Sequence, residues 1–219
     1  MDGDGSMGKL LNNKKNLLIC IVALIAVFLI YILFLRGTYS MVISSDSKKI
    51  SKEFEKLNNS FAEDEKEYPE VDITKNKFVY TDVNEVIDIF NNKGDAVIFF
   101  GYPTCLYCRT AIQVLHDTSV NTEIDKILYL DVEEKSSDYD VLLNYLNEDM
   151  KVVENDVEVI YSPLVLFIAN GKIVSYHKGT LFSQYSPYSE LDQSQIDGLS
   201  EIFKYGIQDV INGMKNNKQ

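Results

Sequence analysis

One stretch of the sequence, residues 96–115 (AVIFFGYPTCLYCRTAIQVL), constrains the fold more than any other. It opens with an apolar run of strand character, which breaks at the Gly-Tyr-Pro segment 101–103. Thr104 follows, and threonine is a residue type that caps helix N-termini, so a helix is predicted to begin near Cys105. The pattern therefore predicts a buried strand that turns directly into a helix with two cysteines in its first turn.

Cys105 and Cys108 are three positions apart and are expected on one face of that turn, with Cα atoms roughly 5 Å apart. This separation suits a disulfide, so the bond can open and close without movement of the backbone. Unpaired N–H groups and the helix dipole at the N-terminus favour a thiolate on the first cysteine. Cys105 is therefore the predicted nucleophile, and Cys108 is predicted to resolve a mixed disulfide.

Two cysteines at this spacing can also form half of a zinc site, which needs two further ligands. The other soft candidates are Cys20, inside the apolar N-terminal run, and His116 and His177, which are not spaced as a second ligand pair. We therefore predict a redox-active disulfide and neither a metal nor another cofactor.

Residues 17–35 carry no charge for 19 positions and are apolar apart from Cys20 and Tyr31. A helix of this length measures about 28 Å, enough to cross the hydrocarbon core of a bilayer. A cleaved signal peptide is the alternative, but the run is longer than usual and ends without a small-residue cleavage pattern. We predict an uncleaved, single transmembrane helix over residues 17–36.

The flanks of this run predict its orientation. Three lysines, at positions 9, 14 and 15, precede it, whereas Arg36 is the only basic residue close behind it. The positive-inside rule therefore places residues 1–16 in the cytoplasm and the rest of the chain outside it. The first eight residues, MDGDGSMG, are left out of the fold prediction because they are expected to be partly a leader. The net charge of −12 argues against a nucleic-acid partner.

Residues 37–72 are rich in Ser, Lys, Glu and Asn and are predicted to be an extracytoplasmic spacer. Ile50, Phe54 and two later apolar residues recur at helix-like intervals, which predicts a helix or tether over residues 47–62. A flexible acidic stretch is expected to follow, as far as Pro69. The favoured interpretation of the whole segment is a solvated leash.

Residues 73–219 are predicted to form an α/β domain with elements in the order β-α-β-α-β-α-β-β-α. An Asn-Gly pair at positions 170–171 separates two apolar runs and predicts a hairpin within residues 160–179. The other strands are expected at 78–80, 95–100 and 127–132. The helices are expected at 82–91, capped by Asp82, and at 105–117, 137–148 and 192–214.

The chain resembles the thioredoxin superfamily over residues 78–214, through the cysteine-bearing helix and the segment SPLVLFIANGKIVSYHKG at 162–179. The resemblance implies a thioredoxin fold, which is a central mixed sheet flanked by helices, here preceded by the transmembrane helix. It implies that Pro163 is a cis-proline that faces the disulfide. It also implies that Ser162 offers its backbone to a polypeptide substrate and that Gly179 matches a family glycine.

Within the superfamily, the segment GYPTCLYCR at 101–109 is similar to small accessory thioredoxins of bacteriocin export in Gram-positive bacteria, and to glutaredoxins. Two features depart from ordinary thioredoxins. Their Gly-Pro between the cysteines is Leu106-Tyr107 here, and their buried acid, six residues before the first cysteine, is replaced by Phe99. Without that acid, the resolving step should be slower or should use another base.

Further side chains are candidates for support of the site. Thr104 and Tyr107 are expected to act there with Ser162 and Pro163, and Tyr102 is expected to line a peptide groove unless it is simply half-exposed. The aromatic loop 181–191 is either a substrate lip or a packing flap, and its aromatic residues are Phe182, Tyr185 and Tyr188.

Three charged or titratable residues are expected to lie at ordinary structural positions and to take no part in the chemistry. Arg109 can add positive potential near the thiolate, although a lone arginine on the second turn is expected to be solvated. His116 is expected on the surface or at a helix C-terminus. His177 is expected at an edge of the sheet.

Together these features predict a membrane-tethered, extracytoplasmic thiol–disulfide oxidoreductase. Its partners would be cysteine-containing exported proteins and a membrane or extracytoplasmic redox protein. Oxidants, isomerases and reductants share one fold and differ in reduction potential, and the missing Gly-Pro and buried acid favour the first two. The alternative is a non-enzymatic accessory module that uses the scaffold to hold a secreted or membrane partner.

Overall fold

The structure is a computed structural model that describes residues 21–22, 24–29, 31, 45–133, 139–181, 183–184 and 186–216. The chain divides into two compact units, Met1–Val42 and Ile43–Gln219. In the first unit the described residues are helical and their large apolar side chains are exposed. Most of the predicted transmembrane segment lies outside the described residues. Among those residues, no helix combines the length and the apolar character needed to cross a membrane.

The second unit is an α/β domain built on a five-stranded mixed sheet with strand order β1-β3-β2-β6-β7. A separate two-stranded sheet pairs β4 with β5. In chain order the elements are α1 (45–55), β1 (Phe78–Tyr80), α2 (Val83–Asn91), β2 (Ala96–Gly101), α3 (Leu106–Val120), β3 (Ile127–Asp131), α4 (Tyr139–Leu143), a 3₁₀ turn (Glu148–Met150), β4 (Lys151–Glu154), β5 (Val157–Ile160), β6 (Leu164–Ala169), β7 (Lys172–Lys178) and α5 (Gln193–Asn216).

Strand β2 is the centre of the large sheet. It runs parallel to β3, which is parallel to β1, and antiparallel to β6, which pairs antiparallel with β7. All six residues of β2 are buried, as expected for an apolar strand that is covered on both faces. This arrangement agrees with the predicted mixed sheet flanked by helices and is consistent with a thioredoxin-like fold.

Two local signals, the Asn-Gly turn and the Asp82 cap, are confirmed. Asn170 and Gly171 have φ angles of 53° and 68° and join β6 to β7, as a tight hairpin requires. Asp82 caps α2, because its carboxylate accepts a hydrogen bond from the backbone N–H of Glu85 at 2.8 Å.

Helices cover both faces of the sheet. Helices α1, α3 and α5 share one core, which includes Phe54, Ile112 and Phe203, and α2 and α4 pack in the other. Helix α5 approaches β6 very closely, because a Cβ atom at Gly206 would lie 2.5 Å from the ring of Phe167. Only a residue without a side chain fits there.

The segment predicted to be a spacer belongs to the domain. Ile50 and Phe54 of α1 are fully buried, and Val71 and Ile73 join them in the same core. The buried amide of Asn76 donates a hydrogen bond to the carbonyl of Ile73 at 2.8 Å and so fixes the return of the chain towards β1. The structure thus differs from the expected leash, because the apolar face of α1 finds partners in α3 and in the sheet.

A second difference lies between β3 and β6. The described part of α4 ends at Leu143 rather than near residue 148, and the chain then forms the β4–β5 hairpin, which was not predicted. Its turn residues, Asn155 and Asp156, have φ angles of 50° and 62°. The signal was present in the sequence, because β-branched valines lie on both sides of the Asn-Asp pair, and after it Val157 and Val159 alternate with Glu158.

Candidate active site

The turn from β2 into α3 positions the two cysteines. Cys105 is the N-cap residue of α3, and it forms a disulfide with Cys108 in which the Cα atoms are 5.1 Å apart, as the spacing predicts. The sulfur of Cys105 accepts a hydrogen bond from the backbone N–H of Cys108 at 3.1 Å. After reduction, this donor and the helix dipole would stabilise a thiolate on Cys105.

The two sulfur atoms differ in accessibility. Cys105 is half-buried, whereas Cys108 is completely buried. Cys108 lies against Gly101, where an added Cβ atom would come 3.1 Å from the sulfur and 2.7 Å from the ring of Phe99. An incoming group can therefore reach Cys105 but not Cys108.

Thr104 has a different contact from the one expected. The sulfur of Cys105 occupies the cap position, and Cys105 has the extended backbone conformation (φ −75°, ψ 112°) of a cap residue. The hydroxyl of Thr104 donates instead to the carboxylate of Glu133, in the loop after β3. Thr104 therefore ties the turn that carries the cysteines to the neighbouring strand.

Ser162 and Pro163 precede β6 and are joined by a cis peptide bond, as the resemblance implies. Strand β6 begins beside the end of β2, because Leu164 pairs with Phe100. The start of β6 is thus brought to the edge of the sheet from which the cysteine-bearing turn leaves. Tyr107, between the cysteines, is 37% exposed.

Arg109 is fully buried, so the expectation that it is solvated is wrong. Its guanidinium donates hydrogen bonds to the carbonyls of Phe54 and Pro69, both at 2.7 Å, and to the side-chain oxygen of Asn58 at 2.6 Å. Burial lowers the pKa of Arg109 to about 10, so the group stays charged at neutral pH. Arg109 anchors residues 54–69 against the helix that carries the cysteines.

The two histidines do not line the cavity at the disulfide. His116 is buried in α3 rather than on the surface, and its Nδ1 has no hydrogen-bond partner among the described residues. His177 lies in the edge strand β7, as expected, with its Nε2 2.7 Å from the carbonyl oxygen of Thr180. Burial lowers the pKa of both histidines.

A cavity of about 890 Å³ lies beside the turn that carries the cysteines, and we call it the groove; Thr104 and Leu106, on either side of Cys105, line it, whereas the two cysteines do not. It is lined by the turn after β2, the chain after β3, α4, the β4–β5 hairpin, residues 160–162 and residues 62–68. Three residues of this lining, Tyr102, Thr104 and Ser162, were predicted from the sequence to act at the site, whereas the hairpin was not predicted. Tyr188 of the aromatic loop also lines the groove, whereas Phe182 and Tyr185 lie outside the described residues.

Asp131 is a carboxylate on the Cys108 side of the sheet. It ends β3 and pairs with Gly101 of β2 in the parallel register. Neighbouring strands of a sheet lie about 4.8 Å apart. The hydroxyl of Tyr129 donates to its carboxylate at 3.3 Å, and the backbone N–H of Glu133 donates at 2.9 Å. Partial burial of the carboxyl group raises the pKa of Asp131, although the residue reaches solvent. A group of this kind can exchange a proton between the interior and water.

Among the residues that the structure describes, no group of three or more His, Cys, Asp or Glu side chains is arranged to hold a metal ion. Cys20, the remaining cysteine considered for zinc, lies outside them.

An α/β domain with a five-stranded mixed sheet and a C-x-x-C disulfide at a helix N-terminus defines the class: the domain is consistent with a thioredoxin-like fold and indicates thiol–disulfide chemistry. No protein-family model and no curated protein matches the chain.

Proposed function

We propose that this protein is a thiol–disulfide oxidoreductase in which Cys105 exchanges with substrate and Cys108 resolves. The observation that carries the proposal is the unequal exposure of two disulfide-bonded cysteines at a helix N-terminus. A scaffold that only held a partner would not need one reachable sulfur and one protected sulfur.

In the oxidising direction, a substrate thiolate attacks the sulfur of Cys105 and the bond to Cys108 breaks. Cys108 leaves as a thiolate and a mixed disulfide forms between substrate and Cys105. A second substrate thiolate attacks the substrate sulfur of that mixed disulfide and releases Cys105 as a thiolate. The substrate loses two electrons, and the protein gains them as two thiols.

The buried Cys108 needs a proton donor when it leaves and a base when it attacks. We assign this role to Asp131, because it pairs with Gly101, whose Cβ position would lie 3.1 Å from the Cys108 sulfur, and because Phe99 supplies no ionisable group. The Asp131→Asn variant should slow both the attack of a substrate thiolate on the disulfide, in which Cys108 leaves, and the reverse attack of Cys108 on the mixed disulfide, while alkylation of the reduced Cys105 thiol stays unchanged.

The oxidising or isomerising direction is favoured over reduction, because Leu106-Tyr107 replaces the Gly-Pro of thioredoxins. Equilibration with glutathione buffers tests this: a potential near −120 mV is that of a strong oxidant, and a value near −270 mV is that of a reductant.

We further propose an extracytoplasmic location, with residues 17–36 as the membrane anchor and cysteine-containing exported proteins as substrates. The uncharged 19-residue run and its basic N-terminal flank support the topology. The similarity of the 101–109 segment to accessory thioredoxins of bacteriocin export supports the substrate class. Protease added to intact protoplasts should digest the domain after Arg36, and full protection would contradict this orientation.

Trapping of mixed disulfides tests the enzymatic proposal. In a Cys20→Ser background, Cys108→Ala leaves Cys105 as the single cysteine, and substrates should remain attached to it because the resolving thiol is absent. The matched variant, Cys105→Ala in the same background, should trap little. If the Cys108→Ala protein is folded and traps no partner, the alternative of a non-enzymatic binding module replaces the proposal.

A further inference from the structure

The groove beside the disulfide is lined by negative charge. Six carboxylate side chains line it, and the described lining contains no Lys, Arg or His; the six are Glu63, Asp64, Glu133, Asp140, Glu154 and Glu158. Two of them pair with a lysine, Asp64 with Lys66 at 3.4 Å and Glu158 with Lys151 at 3.3 Å. The other four take part in none of the ion pairs found among the described residues.

The groove also presents aromatic rings to which cations bind. Three of its tyrosines already hold a cation of the protein itself, at 4.8 to 5.6 Å from the ring centre: Lys66 at Tyr188, Arg109 at Tyr68 and Lys178 at Tyr161. Two further tyrosines of the lining, Tyr102 and Tyr139, have no such cation among the described residues. Rings of this kind, next to carboxylates, suit the side chains of Lys and Arg.

The negative potential reaches the turn that carries the cysteines. Burial raises the pKa of Tyr102, and the charges of Glu154, Glu133 and Asp131 raise it further. Tyr102 is three residues before Cys105, so the same charges act close to the reactive sulfur. They repel a substrate thiolate that approaches Cys105, unless the substrate also carries positive charge.

Apolar side chains also line the groove. Leu106, which follows Cys105 directly, lines it together with Val152 and Val157 of the β4–β5 hairpin. A volume of about 890 Å³ suits a short polypeptide segment. The charge and the shape of the groove together therefore suit a polypeptide segment with positively charged side chains.

From this geometry we infer that the groove selects polypeptide substrates that carry Lys or Arg beside the reacting cysteine. The inference rests on the proposed function, because it assumes that a substrate sulfur reaches Cys105. The basic side chains would lie between the carboxylates and the free tyrosine rings. Their positive charge would offset the repulsion between the carboxylates and the substrate thiolate. A substrate with basic side chains would therefore also exchange faster with Cys105.

The test measures exchange with three synthetic peptides of equal length, each with one central cysteine. The flanking residues are Lys in the first peptide, Glu in the second and Gln in the third. The oxidised full chain is mixed with each peptide, the reaction is stopped with acid, and loss of the Cys105–Cys108 disulfide is followed after alkylation of free thiols.

Flanking charges also change the reactivity of a peptide thiol, so the decisive comparison is between variants. The groove variant is Glu63→Gln with Glu154→Gln, and the control is Glu201→Gln with Asp209→Asn on the exposed face of α5. Both remove two negative charges from exposed positions, and both should fold. The ratio of the Lys-peptide rate to the Glu-peptide rate then reports the groove alone.

We expect this rate ratio to fall at least fourfold in the groove variant, because removal of each carboxylate slows the Lys peptide roughly twofold, at about 8 Å from a cation in water, and speeds the Glu peptide. It should stay at the wild-type value in the control variant, and 0.5 M salt should reduce it in the wild type. Equal ratios in the two variants would overturn the inference but leave the proposed function standing. Failure of all three peptides to open the disulfide would overturn the proposed function, and the inference with it.

Discussion

Replacement of Arg109 by methionine should destabilise the domain strongly. Methionine keeps much of the side-chain volume but removes the charge and every hydrogen bond that the guanidinium donates. Those bonds end on carbonyls of Phe54 and Pro69 and on Asn58, with a longer one, 3.4 Å, to Pro103. These acceptors come from three separate segments, so a single substitution releases all three.

The size of the effect follows from the acceptors left behind. A buried acceptor without a partner costs about 1–3 kcal/mol, and the segment around residue 58 is close enough to solvent for water to satisfy part of the loss. We therefore expect the free energy of unfolding to fall by about 3–5 kcal/mol, which is a large part of the stability of an ordinary domain. For a domain of this size, the melting temperature should fall by about 6–20 °C.

The measurement is thermal and urea unfolding of the full chain, followed by circular dichroism because the chain has no tryptophan. Arg109→Lys should give an intermediate loss, because the charge is kept but the planar fork is not. Lys52→Met, at an exposed position of α1, is the matched control and should change stability by less than about 0.5 kcal/mol. A loss below about 1 kcal/mol for Arg109→Met would refute the assigned anchoring role.

Three further predictions concern other parts of the domain. Gly206→Ala should destabilise it by about 1–3 kcal/mol, because the new methyl group would meet the facing ring at 2.5 Å, whereas Gly198→Ala, whose nearest neighbour is 3.6 Å away, should be neutral or stabilising in the same unfolding assay. In the reduced protein, iodoacetamide should modify Cys105 below pH 8 and before Cys108, as read by mass spectrometry; equal, slow labelling would contradict their roles. Burial lowers the pKa of His116 below 6.5, so the unfolded chain binds the proton more tightly and stability should fall as the pH drops below about 6.5. His116→Gln should reduce that slope between pH 7 and 5.5, and an unchanged slope would exclude His116 as its source.

Much of the fold could be predicted from local sequence signals. Three of these signals depend only on residues that are close in sequence: the apolar run of β2, the Asn-Gly turn at 170–171 and the Asp82 cap. The amino-acid pattern is therefore enough to predict the elements that they specify. The cysteine pair belongs to the same class, because the helical repeat alone places the two Cα atoms within reach of a disulfide. The β4–β5 hairpin was missed although its signal is local, because its turn is Asn-Asp rather than Asn-Gly and each of its strands has only four residues.

Other features depended on contacts between distant segments. Arg109 looks like a surface residue in sequence, and its burial follows from acceptors 40 to 55 residues earlier in the chain. From the sequence, helix α1 looks like part of a tether, because the residues that bury Phe54 belong to α3 and the sheet and are distant from it in the chain.

The sequence by itself determined that a cysteine pair would stand at a helix N-terminus after a buried strand, because strand, turn and helix propensities act locally. Only the tertiary structure decided which sulfur is reachable, which carboxyl group lies beside Gly101 and which charges line the groove. Those properties depend on burial and on distances through space. Residues as far apart as Glu63 and Glu154 acquire a common electrostatic field only when the folded chain brings them to one cavity.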